Sequence, residues 1–481
     1  MKVVAAKKEA ATEKPDRQKR EPIRFYINEK TFEAKNIPEM YKKALEYLVD
    51  ARLLEEVSLP IKTGEKRYIL AKEPIHPTGK SFLSPVEYKG FFMEAHNNRT
   101  SAIAQLRKLI ESVGCTFGEI INFDPRMDDE PEPIEIDTKK LKRFQGCLLG
   151  GAVGDALGAA IEFDSIQAIR QKFGEQGLTD YSPAYGRIGA ITDDTQMTLF
   201  TAEGLIRANI RYHHKGICYP PGVIYYAYLR WLHTQSERSS DEEKNQIVQN
   251  PSSWLYALPE LNSRRATGNS CLSALRSGKM GTIEESINNS KGCGGVMRVA
   301  PVGLIALDAF GLASEAAAIT HGHPTGYLSA GVLALIIRQI IDSKSLSDAI
   351  NHAVYEELPK HKNHEETLAA CDKAIKMAQD ETIQPAPKTV ESLGGGWIAE
   401  EALAIAIYCC LVYENEFRKA VLLAVNHSGD SDSTGAITGN ILGALHGTEA
   451  IPRYWLERLE LKDAIAEIAE DLLIGFRTGD Q

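Results

Sequence analysis

Glycine recurs at every fourth position in two stretches that lie far apart in the chain. In FQGCLLGGAVGDALGAAIEF the positions are Gly146, Gly150, Gly154 and Gly158; in NHSGDSDSTGAITGNILGALHG they are Gly435, Gly439, Gly443 and Gly447. Residues four apart share a helix face. A glycine inside a helix costs about 1 kcal/mol relative to alanine, so two such files need a compensating gain. A face without side chains lets two backbones approach closely. Membrane helices associate through such faces, but these segments carry Asp155, Glu162 and Asn440 and are too short to span a bilayer. The expectation is tight helix packing in a protein core.

Acidic residues mark the ends of both files. Asp430, Asp432 and Ser433 stand just before the second, and Glu162 follows Gly158 by four residues. A third cluster, Thr192, Asp193 and Asp194 in GAITDDTQMTLFTAEGLIRA, sits at the expected start of another helix. Capping accounts for each cluster alone, since Thr and Asp bond to free backbone N–H groups and favour the helix dipole. The duplication weakens that account: two helices each begin with two carboxylates and a hydroxyl, where one cap suffices. Four carboxylates brought together repel one another strongly without cations. Hard oxygen ligands of this kind suit Mg²⁺ or Mn²⁺ rather than zinc. Asp155 is read as a buried structural acid bonded to helix backbone.

The rest of the chain supplies the frame. A net charge of −10 argues against a nucleic-acid partner. Residues 1–21 are basic, lack the apolar core of a signal peptide, and read as a disordered tail. Apolar stretches such as YLSAGVLALIIRQII are interrupted by charge, so no membrane span is expected. The cysteines form no CxxC pair, and Cys409 and Cys410 on an apolar run are expected to be buried thiols, which fits a reducing cytoplasm. Residues 22–123 read as a small α+β domain: IRFYINEKTFEA is β-rich around a polar turn, PEMYKKALEYLVDARLLEEV has helical period, KRYILA is a strand, and RTSAIAQLRKLIESVG is a helix ending at Gly114. The acidic, Pro-rich 124–137 reads as a linker. From 138 to 481 strand patterns nearly vanish. The expected helices are 138–162, 192–210, 222–234, 312–320, 326–343, 365–379, 398–413, 415–426, 433–446 and 461–475, in one all-α domain with no fixed-period repeat.

The segments GGAVGDALGAAIEF, TDDTQMT, KGCGGVMRVAPVGL, THGHPTGYLSA, GGGWIAEEALAIAIY and GDSDSTGAITGNILGALHG occur in the order seen in the ADP-ribosylglycohydrolase family. That family includes the dinitrogenase-reductase-activating glycohydrolases and the ADP-ribosylarginine hydrolases. The resemblance implies an all-α fold around two Mg²⁺ ions, with Mn²⁺ as the alternative metal. It implies metal ligands Thr192, Asp193, Asp194, Asp430, Asp432 and Ser433, and catalytic roles for Glu162 and Asp432. It also implies ADP-ribose contacts from Gly292, Gly294, Gly295, Met297, His321, His323 and Trp397. The residues themselves leave alternatives open. SKGCGGVMR is a flexible turn or a diphosphate cradle, and not a P-loop, because Lys291 precedes the glycines. Arg298 binds phosphate or makes a structural ion pair. His321 and His323 lack a third zinc ligand and are either satisfied histidines at a helix start or ligand contacts. Trp397 is a core residue or an aromatic wall.

The implied activity is hydrolysis of the N-glycosidic bond between ADP-ribose and a protein side chain, arginine first among them, with ADP-ribosylated protein as substrate. Other ADP-ribose linkages, such as serine or O-acetyl-ADP-ribose, are a further alternative. The resembled family also includes immunity proteins against ADP-ribosylating toxins. A second expectation is therefore a stoichiometric binder that blocks a toxin's active site through the N-terminal domain, whose own alternative is a dimerisation or stabilising module.

Overall fold

A computed structural model describes residues 23–475, apart from 29, 55–56, 58, 65–66, 77–78, 96–101, 103–104, 108, 111–112, 114, 116, 121–136 and 250–252. The expected basic tail, the Gly114 helix end and the expected linker except Asp137 lie outside the described residues. By its contacts the chain divides into two units, residues 1–134 and 135–481.

The first unit mixes sheet and helix. β1 (Ile23–Ile27) and β2 (Lys30–Ala34) form the antiparallel hairpin expected from the polar turn, with Asn28 at φ +53°. β7 (Phe117–Ile120) pairs with the other edge of β1. A second antiparallel sheet has the order β3 (Ile61–Gly64), β4 (Arg67–Ala71), β6 (Phe91–Glu94), β5 (Pro85–Tyr88). The helix Ile37–Asp50 begins where Asn36 accepts the Glu39 N–H, with Pro38 in its first turn where no donor is needed. Its Met40, Tyr41, Ala44, Leu45 and Leu48 are buried in one core with Phe25, Leu70, Met93 and Leu106.

The second unit is helical, with no strand beyond isolated bridges among its described residues. Each of the ten expected helices is present, for example Asp193–Lys215, Glu365–Gln379 and Lys462–Gly475. Shorter helices such as Ile166–Phe173, Asn269–Arg276 and Leu346–Asn351 were not anticipated. Pro324–Ile341 is long and apolar enough to cross a membrane, but 83% of it is buried inside the unit, so it serves as a core helix. Ala399–Val412 is apolar on all sides and likewise central; Cys409 and Cys410 within it are fully buried free thiols.

The two glycine helices, Thr138–Gly158 and Ser431–His446, pack against each other antiparallel and in register. A Cβ added at Gly146 would overlap the Gly443 carbonyl; at Gly150, that of Gly439; at Gly154, that of Gly435; at Gly158, the Ser431–Asp432 backbone. Each step of four along one helix is met by a step of four back along the other. Backbone therefore lies on backbone over three turns, which only hydrogens on the facing Cα atoms permit. Asn440 fills the neighbouring groove and donates to the Cys147 carbonyl at 2.8 Å. Gly447 differs from the other three: it ends its helix at φ +75°, a conformation that favours glycine.

Candidate metal centre

Antiparallel pairing brings the C-terminal end of the first glycine helix beside the N-terminal end of the second. The first leads through a tight turn to Glu162, and the second starts with Asp430, Asp432 and Ser433. One carboxylate oxygen from each of Glu162, Asp430 and Asp432 lies within 4.8 Å of the other two, and all three residues are buried. Asp430 caps its helix, accepting the Ser433 N–H at 3.4 Å, and Asp432 accepts the same N–H at 3.0 Å.

Asp155, one turn before Gly158, fastens a third element to this pair. Its carboxylate accepts the Thr192 N–H at 3.0 Å and the Thr195 N–H at 3.1 Å, at the start of the Asp193–Lys215 helix. It is the structural acid expected, bonded to the backbone of a neighbouring helix. Thr192 caps that helix, its hydroxyl accepting the Asp194 N–H at 3.3 Å. Asp193 accepts the Gly268 N–H at 3.4 Å. Asp194 shares a cavity wall with Met297, Ala436 and Asn440, so the third helix flanks the glycine pair.

The segment entering this helix is held by a buried ion pair. Glu460 accepts the Ile191 N–H at 3.0 Å and Arg265 Nη2 at 3.0 Å, while Arg265 Nη1 donates to the Ile191 carbonyl at 2.9 Å. Glu460 and Arg265 are almost fully buried. Removing one partner of such a pair strands the other charge. Glu460→Gln is accordingly expected to destabilise the protein by about 3–5 kcal/mol, read as a lowered midpoint in urea denaturation.

Among the described residues none of Asp155, Glu162, Asp193, Asp194, Asp430 and Asp432 forms an ion pair with Lys, Arg or His. Glu162 Oε2 and Asp194 Oδ1 are buried without a hydrogen-bond partner. Burial pushes the Glu162 carboxyl up to about 11, with Asp432, Asp430, Asp193 and Asp155 adding to the rise. Burial and Asp432 raise Asp155 to about 7. The same causes hold Asp193, Asp194 and Asp430 well above the ordinary carboxylate range. Capping thus describes Thr192 and Asp430 correctly and leaves the two orphaned oxygens unexplained. An all-oxygen set with surplus negative charge and unfilled acceptors fits one or more hard divalent cations.

This electrostatic state carries a pH signature. An unfolded carboxylate loses its proton near pH 4, whereas these groups retain theirs to higher pH in the metal-free fold. Between those limits the native state binds more protons, so metal-free stability falls as pH rises from about 4 through 7. Metal binding requires the ionised forms. The increase in Tm on adding Mg²⁺ is therefore expected to be larger at pH 8 than at pH 5.5, as measured by scanning calorimetry with and without EDTA.

Three loops are zipped together over this cluster. Gly395 accepts the Asp430 N–H at 2.8 Å, and a Cβ at Gly396 would press on Thr434 and Asp430. The backbone of Trp397–Ala399 pairs in turn with Lys291–Cys293, through Cys293 N–H to the Trp397 carbonyl at 3.2 Å and Ala399 N–H to the Lys291 carbonyl at 2.8 Å. The Cys293 thiol donates to Asp430 Oδ2 at 2.7 Å, a contact that the sequence pattern did not suggest. His321 is buried beneath Gly292, Gly294 and Gly295, with Nδ1 bonded to the Thr320 hydroxyl at 2.8 Å. Burial and the neighbouring Arg298 depress its pKa to about 3, so the ring is neutral and supports the loop from below. His323 caps the Pro324–Ile341 helix through Thr325 N–H. Met297 is buried beside the carboxylates, its sulfur accepting from the Ser433 hydroxyl at 3.8 Å. Arg298 takes neither expected role. It is fully buried, it donates to the Ala316 carbonyl, the Thr320 hydroxyl and two sulfurs, and it lies 4.1 Å from the Tyr228 ring centre. Trp397 is 45% exposed and so is not a core residue.

Fold and site together define an all-helical unit whose paired helix ends converge on a buried carboxylate centre. The pattern of the ADP-ribosylglycohydrolase family matches residues 137–481, and the chain belongs to that family. It is 29% identical over 340 residues to an uncharacterized protein of Archaeoglobus fulgidus, across 69% of this chain and 96% of the other. It is 26% identical over 367 residues to the ADP-ribosylarginine hydrolase Tri1 of Serratia proteamaculans, across 74% and 86%. It is 24% identical over 327 residues to the ADP-ribosyl-(dinitrogen reductase) glycohydrolase of Rhodospirillum rubrum, across 66% and 91%.

Proposed function

We propose that this chain is a divalent-metal-dependent hydrolase that removes ADP-ribose from modified arginine side chains. Family membership and the activities for which the Serratia and Rhodospirillum relatives are named support the reaction class. The observation that carries the metal dependence is the pair of buried, unpartnered oxygens, Glu162 Oε2 and Asp194 Oδ1, in a cluster that has no cationic partner among the described residues. Two Mg²⁺ ions would be held by Thr192, Asp193, Asp194, Asp430, Asp432 and Ser433, and Mn²⁺ suits the same donors. When bound, such ions polarise sugar hydroxyls and lower the pKa of a bound water.

The remaining chemistry falls to the chain. Cleavage at the anomeric carbon builds oxocarbenium character, which the surrounding carboxylates favour. Glu162, whose carboxylate lies close to those of Asp430 and Asp432, would hold or accept a proton as water adds, with Asp432 as the second acid. In the Gly292–Gly295 loop the Gly292 and Cys293 N–H groups are held by Ser290 Oγ and the Trp397 carbonyl, so the N–H groups of Gly294 and Gly295 would meet a diphosphate, with His321 fixing the loop from below and Met297, His323 and Trp397 around it. The leading unit has no feature among its described residues that selects a toxin as partner.

The test is incubation of arginine-ADP-ribosylated protein with the purified chain, with Mg²⁺, with Mn²⁺ and with EDTA. Release of ADP-ribose that EDTA abolishes is the expected result. No release with either metal overturns the proposal. A panel of arginine-, serine- and acetate-linked ADP-ribose assigns the linkage.

A further inference from the structure

Just before the Thr192–Asp194 cluster the chain makes a tight two-residue turn. Ala184 and Arg187 exchange both backbone hydrogen bonds at 3.0 Å, and the two residues between them are left-handed, Tyr185 at φ +49° and Gly186 at φ +82°. Such turns favour Asn-Gly or Gly-Gly. A bulky aromatic at the first position is unfavourable, and strain of this kind clusters at functional sites. The turn is fixed from below. Arg187 Nη1 meets Glu460 Oε1 at 2.9 Å, the Gly189 carbonyl accepts the Glu460 N–H at 3.0 Å, and the Arg265 guanidinium lies 5.6 Å from the Tyr185 ring centre. The buried Arg265–Glu460 pair that holds Ile191 thus also seats Tyr185. The ring is 42% exposed, and its hydroxyl has no hydrogen-bond partner among the described residues. Burial, with the charges of Glu162, Asp432, Asp155 and Asp193, raises the pKa of that hydroxyl, so it stays neutral beside the centre.

We propose that Tyr185 recognises the side chain from which ADP-ribose is removed, its hydroxyl oxygen accepting an N–H of the arginine guanidinium. This rests on the hydrolase reading above and deepens it. The straps assigned to the nucleotide close over Asp430 through Gly395 and Cys293. Tyr185 instead projects from the segment entering the Asp193–Lys215 helix, and the acids that act on it are Glu162, Asp432, Asp155 and Asp193. With the nucleotide on the strap flank, the leaving group falls on the other. A guanidinium offers donors and no acceptor, and a phenol oxygen without a protein partner is a free acceptor. The contact needs no net charge on the neighbouring acids, so it persists when metals neutralise them. Exposure fits as well: the leaving group remains attached to a whole protein, so its subsite must open to solvent.

The experiment measures KM for an arginine-ADP-ribosylated peptide, Ki for free ADP-ribose and the urea midpoint, in wild type, Tyr185→Phe and Tyr185→Asn with Mg²⁺ present. Phenylalanine keeps the ring over Arg265 and removes only the hydroxyl; asparagine suits the left-handed position and removes both. Losing a hydrogen bond to a charged group should raise KM about tenfold in both variants. Ki for ADP-ribose, which has no guanidinium, should stay unchanged, and Tyr185→Phe should keep the wild-type midpoint. Unaltered KM in Tyr185→Phe would overturn the proposal, as would parallel rises in KM and Ki, which would set the tyrosine against the nucleotide. A KM rise confined to Tyr185→Asn, with a lower midpoint, would make the ring a prop for Arg265 and likewise overturn it. A wild-type chain that binds ADP-ribose but leaves the arginine-linked peptide intact would remove the arginine reading itself, an outcome distinct from loss of the tyrosine contact in an active enzyme.

Discussion

Asp194→Asn is expected to abolish hydrolysis while making the metal-free protein more stable. The two effects have one cause. Asp194 is buried, Oδ1 has no partner, and the nearest charges are the carboxylates of Asp432, Asp155, Asp193 and Asp430. Neutralising it relieves repulsion in the empty cluster and removes an anionic ligand from the occupied one. Metal charge stabilisation is worth several kcal/mol, and about 1.4 kcal/mol is a tenfold change in rate, so activity should fall by about 10²–10³-fold. Calorimetry in EDTA should give a higher Tm than wild type, and the Tm increment on adding Mg²⁺ should shrink or vanish. Wild type at a Mg²⁺ concentration about a hundred times Kd should gain about 2.7 kcal/mol. A variant that loses activity and stability together in EDTA would place Asp194 in the fold rather than at a metal.

Gly154→Ala is expected to reverse the usual sign of a glycine-to-alanine change in a helix. Propensity alone favours alanine by about 1 kcal/mol. Here the new Cβ would overlap the Gly435 carbonyl and the Ala436 amide, both backbone atoms that cannot rotate away. Overpacking typically costs about 1–3 kcal/mol, and a rigid backbone clash sits at the upper end, so after the propensity gain a net loss of about 1–2 kcal/mol is expected in urea denaturation. Gly443→Ala, which would overlap the Gly146 carbonyl, provides the comparison. Gly146 lies about 18 Å along the helix from Gly158, at 1.5 Å per residue. Both variants should be destabilised, but the Gly154 change, nearer the carboxylates, should weaken Mg²⁺ binding more. Equal stability to wild type in either would show that the helices can separate without loss.

The glycine files were legible because a bare face demands a partner, and only another bare face accepts so close an approach. The long helices were legible through their apolar period, which in Glu365–Gln379 marked both ends. Helices such as Leu346–Asn351 are too short for a period to register. The sequence pattern singled out Asp193, Asp194, Asp430 and Asp432 as residue types suited to cations, but the meeting of Asp430 and Asp432 with Glu162 depends on helix direction, which no local pattern encodes. The zipping of Lys291–Cys293 to Trp397–Ala399 is made by backbone atoms, which any residues supply. Arg298 looked like a partner for an anion because guanidinium groups usually find one; burial among a carbonyl, a hydroxyl, sulfurs and an aromatic face is an alternative that charge counting misses.

Direct main-chain contact along the glycine pair also limits how the protein can move. Helices separated by side chains can slide as those side chains change rotamer. Here interlocked peptide groups oppose both translation and rolling, so the jaw that carries Glu162 and the one that carries Asp430 are expected to travel as a single rigid piece. Under the proposed activity, admitting a protein-linked substrate must then fall to the straps at 291–295 and 394–399, and their bonds to Asp430 through Gly395 and Cys293 tie any such movement to that acid.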